Sequence, residues 1–489
     1  MADLRTLAVP ESDEQASGFG MRLLQIALGV VVIAAAVVSG MSVAAGDKKM
    51  VVLPLAAVVG LALAVLACTR YGAFVLLLLG VRSSVDALAL SSSAGATTEN
   101  AVLSRGINPS SLLAVLFLLA SMLWLATRYY SGAHVRASRL SAWLVAFWLA
   151  GVVSLAGSDH VQAGLMESLR IMAVVMMFVV LEQLITSRQQ MMRVLVAAYA
   201  SLLIPLGYTL YGFMLGDPAT EEKSGLTRIL GTFSQSNAYA RYLTFMIVFG
   251  VAIYPYVKGH LKTALRVLLS ISGIFLLLTL TLTAILAAVV GLLLIGILTR
   301  RRALVLGFVI VIVAAVLAVP GLSSRVSTVQ SEAQASGEPA GNTLLWRFNY
   351  WAEVLPLANS NPVTGIGVGS TSYETNAAKQ PHNDFLRAYV ETGLIGLFMY
   401  IGVLFSLVGT CRRAIRQSVR GEFDHAIAVG ALACAVCVVI ESMASNVITN
   451  SVALWYLMSF VAAAGYISRS SAKGSGPGLV GSSPQLVRP

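Results

Sequence analysis

The stretch TALRVLLSISGIFLLLTLTLTAILAAVVGLLLIGILT (263–299) decides the fold. It contains a single charged residue, Arg266. A helix needs about twenty apolar residues to cross a hydrocarbon core of about 30 Å. The stretch is too long for one crossing, and its threonines gather near the middle. It therefore reads as two helices turning at 281–283. Lipid offers no partner for backbone N–H and C=O groups, so such a segment satisfies them internally as helix.

Similar blocks recur on both sides. Apolar spans are expected at 22–45, 50–68, 71–90, 110–127, 139–157, 163–185, 191–215, 237–256, 263–280, 282–299, 303–320, 385–410, 425–446 and 451–468. Apolar residues make up 57% of the chain and charged residues 11%, and the mean hydropathy is +0.82. A soluble protein of this length would carry roughly a quarter charged residues. The fold class is thus all-α, a polytopic membrane bundle of about 12–14 helices. Residues 1–20 are read as a cytoplasmic tail, 21–468 as the transmembrane domain and 469–489 as a Gly/Ser/Pro-rich disordered tail. The polar, mildly acidic start does not resemble a cleaved signal peptide.

The net charge of +11 is no nucleic-acid footprint, because the basic residues are scattered among short connections. There they set orientation, lysine and arginine being retained on the cytoplasmic side. Taking Arg412, Arg413, Arg416 and Arg420 as cytoplasmic, alternation puts Arg300, Lys258, Arg188, Arg136 and Arg70 on the same side, with both termini. Lys48 and Lys49 oppose the scheme. The functional face is then expected to be external. Cys68, Cys411, Cys434 and Cys437 avoid the external loops, and no disulfide is expected. Cys434 and Cys437 read as small buried residues of an apolar helix.

Two external segments stand out: 216–236, and the longer 321–384. A connection that long is uncommon without a function. Its first part (326–342) reads as flexible. Its second, LLWRFNYWAEVL (344–355), reads as an amphipathic surface helix with Trp346, Phe348, Tyr350 and Trp351 as interface anchors. PHNDFLRAYVETGLIGLF (381–398) follows, with Asn383 or Asp384 as N-cap and Gly393 and Gly396 as points of close helix approach.

Ionisable residues collect on this face. His382 stands at a helix mouth, where an imidazole suits either a general base or a cap. Arg228 precedes a helix beginning near Asn237, Arg241 lies one turn inside it, Arg347 sits in the aromatic segment, and Arg387 and Glu391 follow His382. Guanidinium groups match phosphate oxygens in bidentate fashion. Two readings follow: the arginines grip a diphosphate beside His382, or they pair with Glu221, Glu222, Glu353, Asp384 and Glu391 and brace the loops. Arg82 with Asp86, and Arg170 with Glu167, read as braces. Glu441 is an intramembrane carboxylate with no partner evident in the sequence. No metal-ligand motif is present, and no cofactor is expected.

The runs WRFNYW (346–351), NPVTGIGVG (361–369) and PHNDFL…ETGLIGL (381–397), with RILGTF…N (228–237), resemble the signature of the O-antigen ligase and O-antigen polymerase superfamily. Two departures are QSN at 235–237, where the family often has Asn-Pro-Asn, and TLTA at 281–284, where many members carry a Ser-Arg-Gly turn. The resemblance implies a fold like GT-C-type membrane glycosyltransferases and metal-independent transfer of a glycan from undecaprenyl diphosphate to an acceptor hydroxyl. The partners implied are that lipid-linked glycan donor, a glycan or lipid-linked acceptor, and membrane lipids. The catalytic residues it implies are His382, Arg228 and Arg347. Arg241, Arg387, Glu391, Asn237 and Asn383 follow as substrate-binding candidates. The shared motifs do not separate a ligase from a repeat-unit polymerase. A transporter would instead spread its ionisable residues along a path through mid-membrane.

Overall fold

The computed structural model describes residues 48–87, 109–223, 226–301, 344–377 and 379–474, with isolated positions between 303 and 313. Contacts divide the chain into two units, 1–75 and 76–489. The described part of the first is helix α1 (Lys48–Thr69) and the start of α2 (Tyr71–Val81). The second continues through α3 (Pro109–Tyr130), α4 (Arg139–Ser154), α5 (Val161–Leu184), α6 (Arg188–Ala200) and α7 (Leu203–Leu215). A hairpin of β1 (Thr220–Lys223) and β2 (Leu226–Ile229) comes next. Then follow α8 (Ser236–Ile253), α9 (Gly259–Leu278), α10 (Leu282–Thr299), α11 (Leu344–Ser360), α12 (Asp384–Gln417), α13 (Phe423–Ser442) and α14 (Ser451–Gly474).

Among the described residues, ten helices are long and apolar enough to cross a membrane, α6 and α7 counting together. The long stretch 263–299 splits as its length demands, with a turn at 279–281 where Leu280 adopts φ 50°. The spans expected at 22–45 and, for the most part, 303–320 lie outside the described residues, as do the N-terminal tail and the flexible 326–342. Several boundaries differ from the hydropathy reading, and α12 runs to Gln417 where an end at 410 is expected. The span expected at 71–90 is helical only to Val81, then tightens to a 3₁₀ turn at Arg82–Ser84. There Arg82 pairs with Asp86 at 3.2 Å, and the Ser83 carbonyl accepts from the Thr232 hydroxyl at 2.6 Å. Helix α14 runs to Gly474, past the expected end of order. Helix α13 stops at Ser442, not 446, and its last carbonyls turn into a loop.

Local chemistry explains the helix limits. Ser138 caps α4 by accepting from Ser141 N–H, and Ser187 with Gln190 forms a capping box for α6. The break between α6 and α7 follows from Pro205. Proline has no N–H to offer the carbonyl four residues earlier, and that Ser201 oxygen accepts instead from the Ser83 hydroxyl at 2.9 Å.

The core lies around α8 and α14, where Tyr242, Phe245, Phe249, Trp455, Tyr456 and Phe460 are almost fully buried. Phe249 and Phe460 stack with ring centroids 3.9 Å apart. Helix α13 packs on α8 and α10, which small residues permit. A Cβ on Gly291 would lie 2.8 Å from Cys437 Sγ. Cys434 and Cys437 are free, buried and directed at backbone carbonyls of Phe245 and Ala287.

Polar contacts sort the connections of the second unit into two ends. At one, Arg136 meets Glu182 and Gln183, Arg469 meets Glu182, Arg188 meets Asp424, and Ser468 meets Gln417. At the other, Ser158 meets Ser370, His160 meets Glu374, Asn237 meets Thr281, and His382 meets Asn446. This is the alternation expected from the basic residues.

Candidate active site

The second end is assembled by two interlocked motifs. Helix α12 is broken at Gly393, whose φ of 67° and ψ of −170° leave the helical region. The segment 361–367 fills the break. Ile366 N–H donates to Val390 O at 3.0 Å, Gly367 N–H to Glu391 O at 3.1 Å, and Leu394 N–H to Pro362 O at 2.9 Å. A side chain on Gly393 would meet Val363 O at 2.1 Å, and one on Gly365 the Glu391 carbonyl carbon at 2.4 Å. The glycines of NPVTGIGVG and ETG thus serve each other, and Gly393 opens the helix to this loop rather than to a neighbouring helix.

Buried charges hold the lock. Arg387 donates to Glu391 at 2.9 Å and to Glu167 of α5 at 3.0 Å. Glu391 also accepts from Gly369 N–H at 2.8 Å and the Thr371 hydroxyl at 2.9 Å. Glu167 further accepts from Arg170 at 2.9 Å. Arg387 and Glu391 therefore engage the protein frame.

Helix α11 props the turn that carries His382. Its Val354 and Ala358 are buried with Val390 of α12. Tyr350, 3% exposed, bonds through its hydroxyl to Thr375 Oγ1 at 2.8 Å and to the Lys379 carbonyl. Burial pushes the Tyr350 phenol up to about 12, so it remains a neutral donor. Trp351 Nε1 donates to Pro381 O at 2.5 Å. Tyr350 and Trp351 face the protein, while Phe348 stays exposed.

The loop between α13 and α14 (443–450) is where the predicted residues meet. Arg347 Nη1 donates to Ala444 O at 3.0 Å. Arg241, buried in α8, donates to Glu441 at 2.5 Å, to Ser445 Oγ at 2.5 Å and to Asn446 O at 3.3 Å. Arg241 is thus the partner of Glu441. His382 N–H donates to Asn446 Oδ1 at 2.9 Å, and its Nδ1 lies 3.3 Å from Asn446 Nδ2. Asp384 accepts from Val447 and Ile448 N–H, and Asn383 caps α12 through Phe385 and Leu386 N–H. His382 itself has φ 53°, a left-handed conformation uncommon outside glycine and a frequent mark of functional positions.

The remaining two residues arrive by another route. Arg228 is 2% exposed and sits opposite Glu221 in the hairpin. Glu221 accepts from the N–H and hydroxyl of Ser236, the first residue of α8. Asn237 Oδ1, next along, accepts from Thr281 at 3.2 Å. The TLTA turn thus presents a hydroxyl to Asn237.

Residues 267–401 match the family model described as O-Antigen ligase. Over that region the chain is similar to the O-antigen ligase family. Among curated proteins nothing matches it. The O-antigen ligase region takes in α10, α11, the glycine lock and the His382 turn. Arg228, Arg241 and the 443–450 loop lie outside it. Sequence reading missed Ser445 and Asn446 because the apolar window ran on to 446; the signal was the polar run SMASNVITNS (442–451) between two spans. Among the described residues, no group of three or more His, Cys, Asp and Glu side chains is placed to hold a metal ion.

Proposed function

We propose that this chain is a membrane glycosyltransferase that moves a glycan from undecaprenyl diphosphate to an acceptor hydroxyl at the outer face, ligase-like, with a repeat-unit polymerase using the same donor as the alternative. The convergence of Arg347, Arg241 and His382 on residues 444–446 carries the reading. It places a guanidinium and an imidazole around one loop, as a diphosphate with an adjacent hydroxyl requires. Arg228 and Arg347 hold the diphosphate and offset the charge that develops as the glycosidic C–O bond breaks. His382 orients or deprotonates the acceptor. Diphosphate is a good leaving group, and with arginines carrying its charge the transfer proceeds without a metal. Asn237, Asn383, Arg241, Arg387 and Glu391 hold these groups in place.

The test is reconstitution with undecaprenyl-diphosphate glycan and defined acceptors, in chelator, comparing His382→Ala, Arg228→Ala and Arg347→Ala. Each variant is expected to lose turnover by about 100-fold. Wild-type turnover in all three overturns the site, and loss of wild-type activity in chelator overturns the metal-free reaction. Products reveal the acceptor: a single transfer to a lipid core marks a ligase, and a ladder of repeat units marks a polymerase.

A further inference from the structure

We infer that Asn446 holds His382 with its proton on Nε2, so that His382 donates a hydrogen bond to the departing diphosphate and does not act as the base for the acceptor. This rests on the reading above and moves His382 within it from the acceptor hydroxyl to the departing oxygen.

The orientation of the Asn446 amide follows from an unambiguous donor. His382 N–H can only donate, and it meets Asn446 Oδ1 at 2.9 Å. The other end of the amide, Nδ2, then faces the imidazole Nδ1 at 3.3 Å. An amide NH₂ only donates, so Nδ1 must accept and carry no proton. In the neutral ring the proton is on Nε2. A proton on Nδ1, in the other tautomer or in the imidazolium, would set two donors face to face.

Asn446 cannot readily turn away, because its loop is fixed on both sides. Its carbonyl accepts from Arg241 at 3.3 Å, and the preceding Ser445 hydroxyl accepts from the same guanidinium at 2.5 Å. The Ala444 carbonyl accepts from Arg347 at 3.0 Å, and the following N–H groups of Val447 and Ile448 bind Asp384. The left-handed backbone of His382 is held from behind by Trp351 through the Pro381 carbonyl and ahead by the Asn383 cap. Arg241 and Asn446 are therefore positioning residues.

A general base must offer a bare nitrogen to the hydroxyl. In this arrangement Nδ1 is occupied and Nε2 bears hydrogen. A ring N–H suits an oxyanion. In the transfer, the bond between the sugar C1 and the phosphate oxygen breaks, and its electron pair stays on that oxygen, which receives the Nε2–H hydrogen bond. The acceptor oxygen forms the new bond to C1, and its proton passes to a non-bridging oxygen of the departing diphosphate. His382 ends the step with the protons it began with.

Two measurements on the full chain in lipid nanodiscs test this. The first is nitrogen NMR of ¹⁵N-histidine-labelled protein, with His382 assigned by the signals lost in His382→Gln. An Nε2-protonated ring that gains an Nδ1 proton in Asn446→Asp is the expected result; an Nδ1-protonated ring in the wild type overturns the proposal. The second is turnover. Glutamine places an amide N–H near Nε2 and cannot serve as a base, so His382→Gln should stay within about tenfold of wild type while His382→Ala falls about 100-fold. If His382→Gln falls as far as His382→Ala, donation is wrong and the general base stands. If His382→Ala keeps wild-type turnover, His382 takes no part in the transfer and this proposal fails, while the site itself falls only if Arg228→Ala and Arg347→Ala keep it as well.

Discussion

Arg241 and Glu441, 200 positions apart, are joined guanidinium to carboxylate at 2.5 Å, with both side chains at least 95% buried. A buried pair is strongly destabilising to break on one side, because the remaining charge is left without compensation, by about 3–5 kcal/mol. Arg241→Ala should lower the melting temperature markedly. Arg241→Ala with Glu441→Gln should recover part of the loss, since the stranded carboxylate is gone. Thermal unfolding of wild type, the single variants Arg241→Ala and Glu441→Gln, and the double variant in detergent measures the coupling; equal melting temperatures for wild type and Arg241→Ala would show that the pair does not brace the loop.

Gly393 and Gly409 lie on one helix and predict opposite outcomes. Alanine at 393 would meet Val363 O at 2.1 Å with φ at 67°, whereas nothing lies within 4 Å of a Cβ at 409. Gly393→Ala should unseat the 361–367 segment and abolish both folding yield and turnover. Gly409→Ala should be neutral or raise stability by up to about 1 kcal/mol, as expected for glycine replaced within a helix. Expression yield and thermal unfolding decide it.

Tyr350→Phe removes the hydroxyl that ties α11 to Thr375 and Lys379. Leaving buried acceptors unpaired costs about 1–3 kcal/mol, and turnover should fall because the Pro381–His382 turn loosens. The folded phenol is raised from 10.0 to about 12. The bonus of the neutral hydroxyl is therefore present below pH 10.0 and is lost as the pH climbs to about 12. The stability gap between wild type and Tyr350→Phe should narrow over that window. A gap constant across it argues against a buried, bonded phenol.

Cysteine labelling tests which end faces outward. With Cys68, exposed in the structure, first changed to serine, cysteines at Glu222 and Asn376 should react with an impermeant reagent applied from outside. Both positions are exposed, as are Ala137 and Val419 at the opposite end. Cysteines at those two should react only after permeabilisation. The reverse pattern would put the site on the cytoplasmic side.

Much of the molecule was legible in one dimension, because the forces concerned act residue by residue. Hydropathy over about twenty residues sets a crossing, which is why 263–299 could be divided at its threonines. Retention of basic residues is likewise local, and it sorted the loops into the two ends seen in the fold. Motif recognition brought Arg228, Arg347 and His382 forward together. What the arginines bind was decided only by tertiary structure, since a guanidinium has the same composition whether it braces a loop or faces a ligand. Arg387 meets Glu167 across 220 positions, and Arg241 meets Glu441 across 200. Asn446, which orients His382, lies in a stretch that hydropathy assigned to helix. Its role exists only because α8, α11, α12 and the loop after α13 come together, and that meeting depends on packing between elements far apart in the chain.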